Sequence, residues 1–130
     1  MEPSPTIDQW RELVANQDAA GVEPLLAEDV VFHSPIVDTE QTGRDVTQQY
    51  LSAAFTVFGQ TSFRYVREVV GARDAVLEFL VEIDGISVNG VDMIRWNDEG
   101  KIIEFKVMLR PMKALKVMHQ KVAASLQGAS

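Results

Sequence analysis

Apolar residues change their spacing partway along the chain, which divides it into a helical first half and a β-rich second half. After Pro3 and Pro5, Thr6 with Gln9 three positions on reads as a capping box opening a helix through Trp10, Leu13 and Val14, to end near Asn16. Val22, Leu25 and Leu26 mark a second short helical piece, with Pro24 acceptable in its first turn. Val30, Val31 and Phe32 read as a short strand stopped at His33-Ser34-Pro35, and the polar residues from Asp38 to Gly43 predict a loop. From Asp45 to Phe58 the apolar positions Val46, Tyr50, Ala54, Val57 and Phe58 follow helical spacing, with Leu51 and Phe55 widening the stripe.

Four β-rich runs follow, from Phe63 to Val70, Ala75 to Ile83, Ile86 to Trp96 and Ile102 to Leu109. Gly71-Ala72-Arg73, Asp84-Gly85 and Asn97-Asp98-Glu99-Gly100 separate them, so they form an antiparallel meander. Pro111 then suits the start of a last helix carrying Met112, Leu115, Met118, Val122 and Leu126. The pattern is α+β, in one domain spanning 1–130 with ends expected to fray over about 1–5 and 127–130.

The hairpins constrain one acid. If Asp84-Gly85 is a two-residue turn, Ile83 faces Ile86, Val81 faces Val88 and Leu77 faces Asp92. If Asn97 to Gly100 is a four-residue turn, Trp96 faces Lys101, Ile94 faces Ile103 and Asp92 faces Phe105. Asp92 thus lies on an apolar, inward face among Leu77, Ile94, Ile103 and Phe105. A carboxyl there must find hydrogen bonds, find a cation such as Arg110, or stay protonated. Each outcome serves binding or acid/base chemistry, which makes Asp92 the first catalytic candidate.

His33, beside Ser34, is the second, as a base or a ligand contact, although alternation sets it on the face opposite Phe32 and Ser34. Trp10, Tyr50 and Phe55 on helical stripes, and Leu77, Ile94, Phe105 and Met108 on strands, are candidate walls of a pocket. Ser34 and Arg110 are candidate polar ligand contacts.

Charge and composition narrow the partners. Nineteen Asp and Glu against twelve Lys and Arg give a formal charge of −7, which repels a phosphate backbone, so no nucleic acid is expected. There is no cysteine and only two histidines, far apart, so neither a disulfide framework nor a metal site is expected, and no motif calls for a cofactor. No secretory leader and no membrane-length apolar stretch is read, so a cytoplasmic protein that leaves membranes alone is expected.

The segments Asp18-Ala19-Ala20-Gly21-Val22, Leu25-Leu26-Ala27-Glu28-Asp29-Val30, Phe32-His33-Ser34-Pro35-Ile36 and Val91-Asp92-Met93-Ile94-Arg95-Trp96, with Gly100-Lys101-Ile102, occur in that order. Together they resemble the nuclear transport factor 2-like superfamily, in its SnoaL-like and ketosteroid isomerase-like branches. The resemblance implies a curved antiparallel sheet wrapped by about three helices into a cone, a cystatin-like α+β roll. It also implies a small apolar ligand in the cone and a homodimer through the outer sheet face. Judged by the isomerase-like pattern, Trp10 stands where a first-helix Tyr is expected and Ser34 where the general-base Asp is expected. Asp92 alone matches, at the place of the protonated oxyanion-hole Asp. The resemblance therefore implies either an enzyme performing isomerisation, cyclisation or hydration on an apolar carbonyl-like compound, or a non-catalytic binding dimer.

Overall fold

The computed structural model describes residues 5–59 and 62–128. Helix α1 spans Pro5–Ala15, and a 3-10 turn spans Ala20–Leu25. Strand β1 (Leu26–His33) and the two-residue β2 (Gln41–Thr42) precede helix α2 (Arg44–Phe58). Strands β3 (Arg64–Val70), β4 (Asp74–Ile83), β5 (Ile86–Trp96) and β6 (Ile102–Arg110) form the meander, and helix α3 covers Met112–Gly128. Residues 1–4, 129 and 130, where most of the expected fraying falls, lie outside the described residues, while Pro5 and Gln127 lie in helices.

The six strands make one sheet in the order β2-β1-β6-β5-β4-β3. β1 runs parallel to β6, with Phe32 beside Phe105, so the sheet is mixed and only its other pairings are antiparallel. The long connection through β2 and α2 into the meander is what allows the first strand to return in that direction. Together with the helices the sheet forms an α+β cone of the cystatin-like kind.

Several local expectations are revised. Thr6 lies inside α1 instead of capping it, and its hydroxyl donates to the carbonyl of Gly100 at 2.9 Å, tying the helix to the β5–β6 turn. Leu26 has extended dihedrals (φ −89°, ψ 138°) and opens β1 instead of continuing a helix. The polar segment after Pro35 includes β2, because Thr42 pairs with Val31.

Alternation along β4, with Ala75, Leu77, Phe79, Val81 and Ile83 all buried, sends one face of the sheet into the interior. One apolar cluster joins Ile7, Trp10 and Leu13 of α1 to Phe32, Leu51, Leu77, Ile94 and Phe105. A second joins Phe79, Val81, Ile83 and Val88 to Ala114, Val117 and Met118 of α3. Gly90 sits where Phe79 and Leu109 close over the sheet, and a Cβ there would fall into both side chains. Among the described residues no helix is long and apolar enough to cross a membrane.

Candidate functional site: a buried carboxyl in an aromatic cavity

The first hairpin has the expected register: Ile83 pairs with Ile86, Val81 with Val88 and Leu77 with Asp92. The second differs. Asn97 donates its amide to Lys101 O at 2.9 Å, which shortens the turn by one residue, and Ile103 is the extra residue of a bulge near Arg95. Asp92 therefore faces Val107 instead of Phe105, and Ile94 faces Phe105 instead of Ile103.

Asp92 is 7% exposed and lies on the wall of a cavity of about 370 Å³, within the range of small-molecule pockets. The walls are aromatic. Trp10, Phe32, Tyr50, Phe55, Phe63 and Phe105 contribute, with Phe32 stacked on Tyr50 at 5.3 Å between centroids. Ser34 and the following Pro35, Ile36 and Val37 form one side of the lining, and His119, Val122 and Leu126 of α3 form another.

One hydrogen-bonded chain crosses this interior. Trp10 Nε1 donates to Tyr65 Oη at 3.0 Å, and Tyr65 Oη donates to Asp92 Oδ2 at 2.7 Å. Burial raises the carboxyl's pKa from 3.8 to about 7, and the Tyr65 hydrogen bond holds it below what desolvation alone would give. Burial also pushes Tyr65 well above its ordinary value of 10.0, and the neighbouring Asp92 charge adds to that. At neutral pH the site thus holds a carboxyl poised between acid and base, and a phenol that keeps its proton.

The structure brings Trp10, Ser34, Tyr50, Phe55, Phe105 and Asp92 to one cavity. Leu77 and Ile94 share the inner face with Asp92 but are packed into the core, at 0% and 1% exposure, and do not line it. Met108 and Arg110 point the other way, because they pair with Val91 and Asn89 on the outer face, whereas Val107 and Leu109 face in. Arg110 is therefore not a partner for Asp92. His33 also turns outward, where Nε2 lies 3.0 Å from Glu104 Oε2 and Nδ1 lies 3.8 Å from Glu40 Oε2.

Ser34 reaches the cavity lining, but its Oγ accepts from the amides of Ile36 at 3.1 Å and Val37 at 3.4 Å, so its role is to shape the loop. Sequence reasoning missed Tyr65. Its signal was present: Phe63 and Tyr65, two apart, are aromatic in a run otherwise rich in Arg and Glu. His119 is exposed yet contributes to the lining.

An α+β cone enclosing an aromatic cavity with one desolvated acid defines a small-molecule pocket of the nuclear transport factor 2-like class. The model of the SnoaL-like domain matches residues 7–105, and the chain belongs to that family, the SnoaL-like branch of the superfamily. No curated protein sequence matches the chain. Among solved structures it is similar to a steroid delta-isomerase from Pseudomonas aeruginosa, with 35% identity, a TM-score of 0.90, and coverage of 95% of this chain and 90% of that one. A protein with a cystatin-like fold from Silicibacter pomeroyi DSS-3 is 35% identical, with a TM-score of 0.84 over 93% of this chain and 84% of that one. An NTF2-like protein of unknown function from Mesorhizobium loti is 25% identical, with a TM-score of 0.72 over 82% and 88%.

Proposed function

We propose that the chain is a small-molecule enzyme that isomerises or cyclises an apolar, oxygen-bearing compound, with Asp92 giving and taking back a proton within one turnover. The observation that carries this reading is the pairing of a carboxyl near pKa 7 with a protonated phenol on the wall of an aromatic cavity. Likeness to a steroid delta-isomerase supports an isomerase-like reaction, and the aromatic walls favour a ring-containing ligand. Trp10, Tyr50, Phe55 and Phe105 are the walls in this reading, and Asp92 with Tyr65 is the polar end.

One observation favours a second reading, a non-catalytic binder. Asp92 is the only carboxyl of the lining among the described residues, and Ser34 offers a hydroxyl held in its turn by two backbone amides, so no second carboxyl meets the ligand. The experiment that separates the two is proton exchange in D2O. Cyclic unsaturated ketones are incubated with the protein and followed by NMR for label uptake and isomerisation. The enzyme reading expects uptake above the buffer rate that falls by about 10²-fold or more in Asp92→Asn. Saturable binding without uptake supports the binder, and uptake that survives Asp92→Asn refutes the assigned role of Asp92.

The same reading includes a homodimer. On the outer sheet face Val69 pairs with Val76 and Val76 with Met93, and Val66 and Met108 are exposed beside them. That apolar row is flanked by Arg67, Glu78, Arg95 and Glu104, a mixture suited to a self-complementary interface. A cytoplasmic site of action fits the cysteine-free, acidic composition.

A further inference from the structure

Trp10 is 2% exposed, and its indole nitrogen can only donate a hydrogen bond. That one-way property orders the chain of bonds around Asp92. Because Trp10 Nε1 donates to Tyr65 Oη at 3.0 Å, the phenol's own proton is directed to Asp92 Oδ2 at 2.7 Å. The indole is held in place by edge contacts with Phe105 at 5.0 Å and 61°, and with Phe55 at 5.7 Å and 69°. Its helix is also tied to the strand of Tyr65, since Arg11 Nε donates to Glu68 Oε1 at 2.7 Å.

We propose that Trp10 is a positioning residue whose N–H fixes the Tyr65 hydroxyl as a donor to Asp92 Oδ2, so that Oδ1 is the oxygen that exchanges a proton with the ligand. This rests on the reading of Asp92 as the acid–base group. Without the indole donor, the Tyr65 hydroxyl is free to turn and accept a proton from Asp92, which then no longer presents it to the cavity. The indole also polarises the phenol and strengthens its donation to the carboxylate. Both effects favour the ionised, correctly oriented carboxyl, so losing the N–H moves the titration of Asp92 upward.

The titratable side chains lining the cavity with Asp92 are Tyr65 of β3, Tyr50 of α2 and His119 of α3. Glu68 lies close enough to Tyr65 to act on it. No Lys or Arg lines the cavity among the described residues. On β4 and β6 the residues directly opposite Asp92 are Leu77 and Val107, which do not titrate. His119 is the one imidazole of the lining among the described residues, and a His119→Gln background removes it.

The test is a pH titration of the Asp92 side-chain carboxyl by 13C NMR in wild type, Trp10→Phe, Tyr65→Phe and the double variant. The midpoint is expected to rise by about one pH unit in Tyr65→Phe and by a few tenths of a unit, on the order of 0.3, in Trp10→Phe. Because Trp10 acts through Tyr65, Trp10→Phe should add nothing once Tyr65 is Phe. An equal rise in both backgrounds, or none in the wild-type background, overturns the proposal in favour of simple packing. If Trp10→Phe fails to fold, incorporation of benzothienylalanine at position 10 in a Trp96→Phe background keeps the shape and removes only the N–H. The titration needs no substrate. Absence of turnover in wild type therefore counts against the proposed reaction alone, and an unshifted midpoint counts against the relay alone.

Discussion

Asp92→Asn should stabilise the fold at neutral pH, and by an amount that grows with pH. The folded carboxyl titrates at about 7 against an ordinary value of 3.8. Its folded pKa is raised, so its contribution to stability is fully present below 3.8 and is lost as pH rises toward about 7. Over that window the unfolded chain is ionised and the folded one is not, and each pH unit removes about 1.4 kcal/mol. The whole interval corresponds to about 4 kcal/mol, and the part between pH 5 and pH 7 to roughly 2 kcal/mol. Asparagine removes this dependence and keeps a carbonyl to accept from Tyr65. Its amide NH2 needs an acceptor in an apolar cavity, which costs about 1–2 kcal/mol. The expected result is a variant more stable than wild type by on the order of 1–3 kcal/mol at pH 7, and equal or less stable near pH 4.5. Urea melts of both proteins at pH 4.5, 5.5, 6.5 and 7.5 measure the difference, in which the titration of all other carboxyls cancels. A difference that stays flat across that range, or that disfavours Asn more strongly at higher pH, would refute the reading of Asp92 as a desolvated acid.

Tyr65→Phe strands the Trp10 N–H and removes a donor from Asp92, so we expect a loss of about 1–3 kcal/mol, greatest where Asp92 is ionised; chemical denaturation at pH 5 and pH 8 checks this. Light scattering at tens of micromolar should give the dimer mass, with Val76→Glu shifting it to the monomer; a monomer mass for wild type removes the interface proposal.

Much of the fold was legible because periodicity and turn residues are local signals. Asp84 and Gly85 both adopt positive φ, at 52° and 77°, so the two-residue turn fixes the register along all of β4 and β5, including Leu77 opposite Asp92. What was not legible depended on long-range pairing. Nothing local reveals that β1 lies parallel to β6, because that direction is set by where the chain returns after α2. Likewise Thr6 and Gln9 carry a helix-start pattern, yet the Thr6 hydroxyl finds Gly100, 94 positions along the chain.

Bulges decided the rest of the site, and they explain both its success and its largest omission. In the β5–β6 hairpin the turn is one residue shorter than its four polar residues suggest, and the bulge at Ile103 adds one back. Each change alone inverts the facing of β6. Together they cancel, so Phe105 still faces the cavity although its partner is Ile94, while Ile102 takes the inward place nearer the turn. On β3 there is only one such change. Counting by twos from Val70, whose partner Ala75 is buried, would place Val66 inward and Tyr65 outward. The irregularity between Tyr65 and Arg67 reverses that, exposing Val66 on the outer face and turning the Tyr65 hydroxyl toward Asp92. The Tyr hydroxyl that the resemblance implies on the first helix, where Trp10 stands, thus has a counterpart on another strand, with Trp10 as its donor partner. A search for the usual residue at the usual position cannot find such a group, whereas asking what satisfies a buried carboxyl leads directly to it.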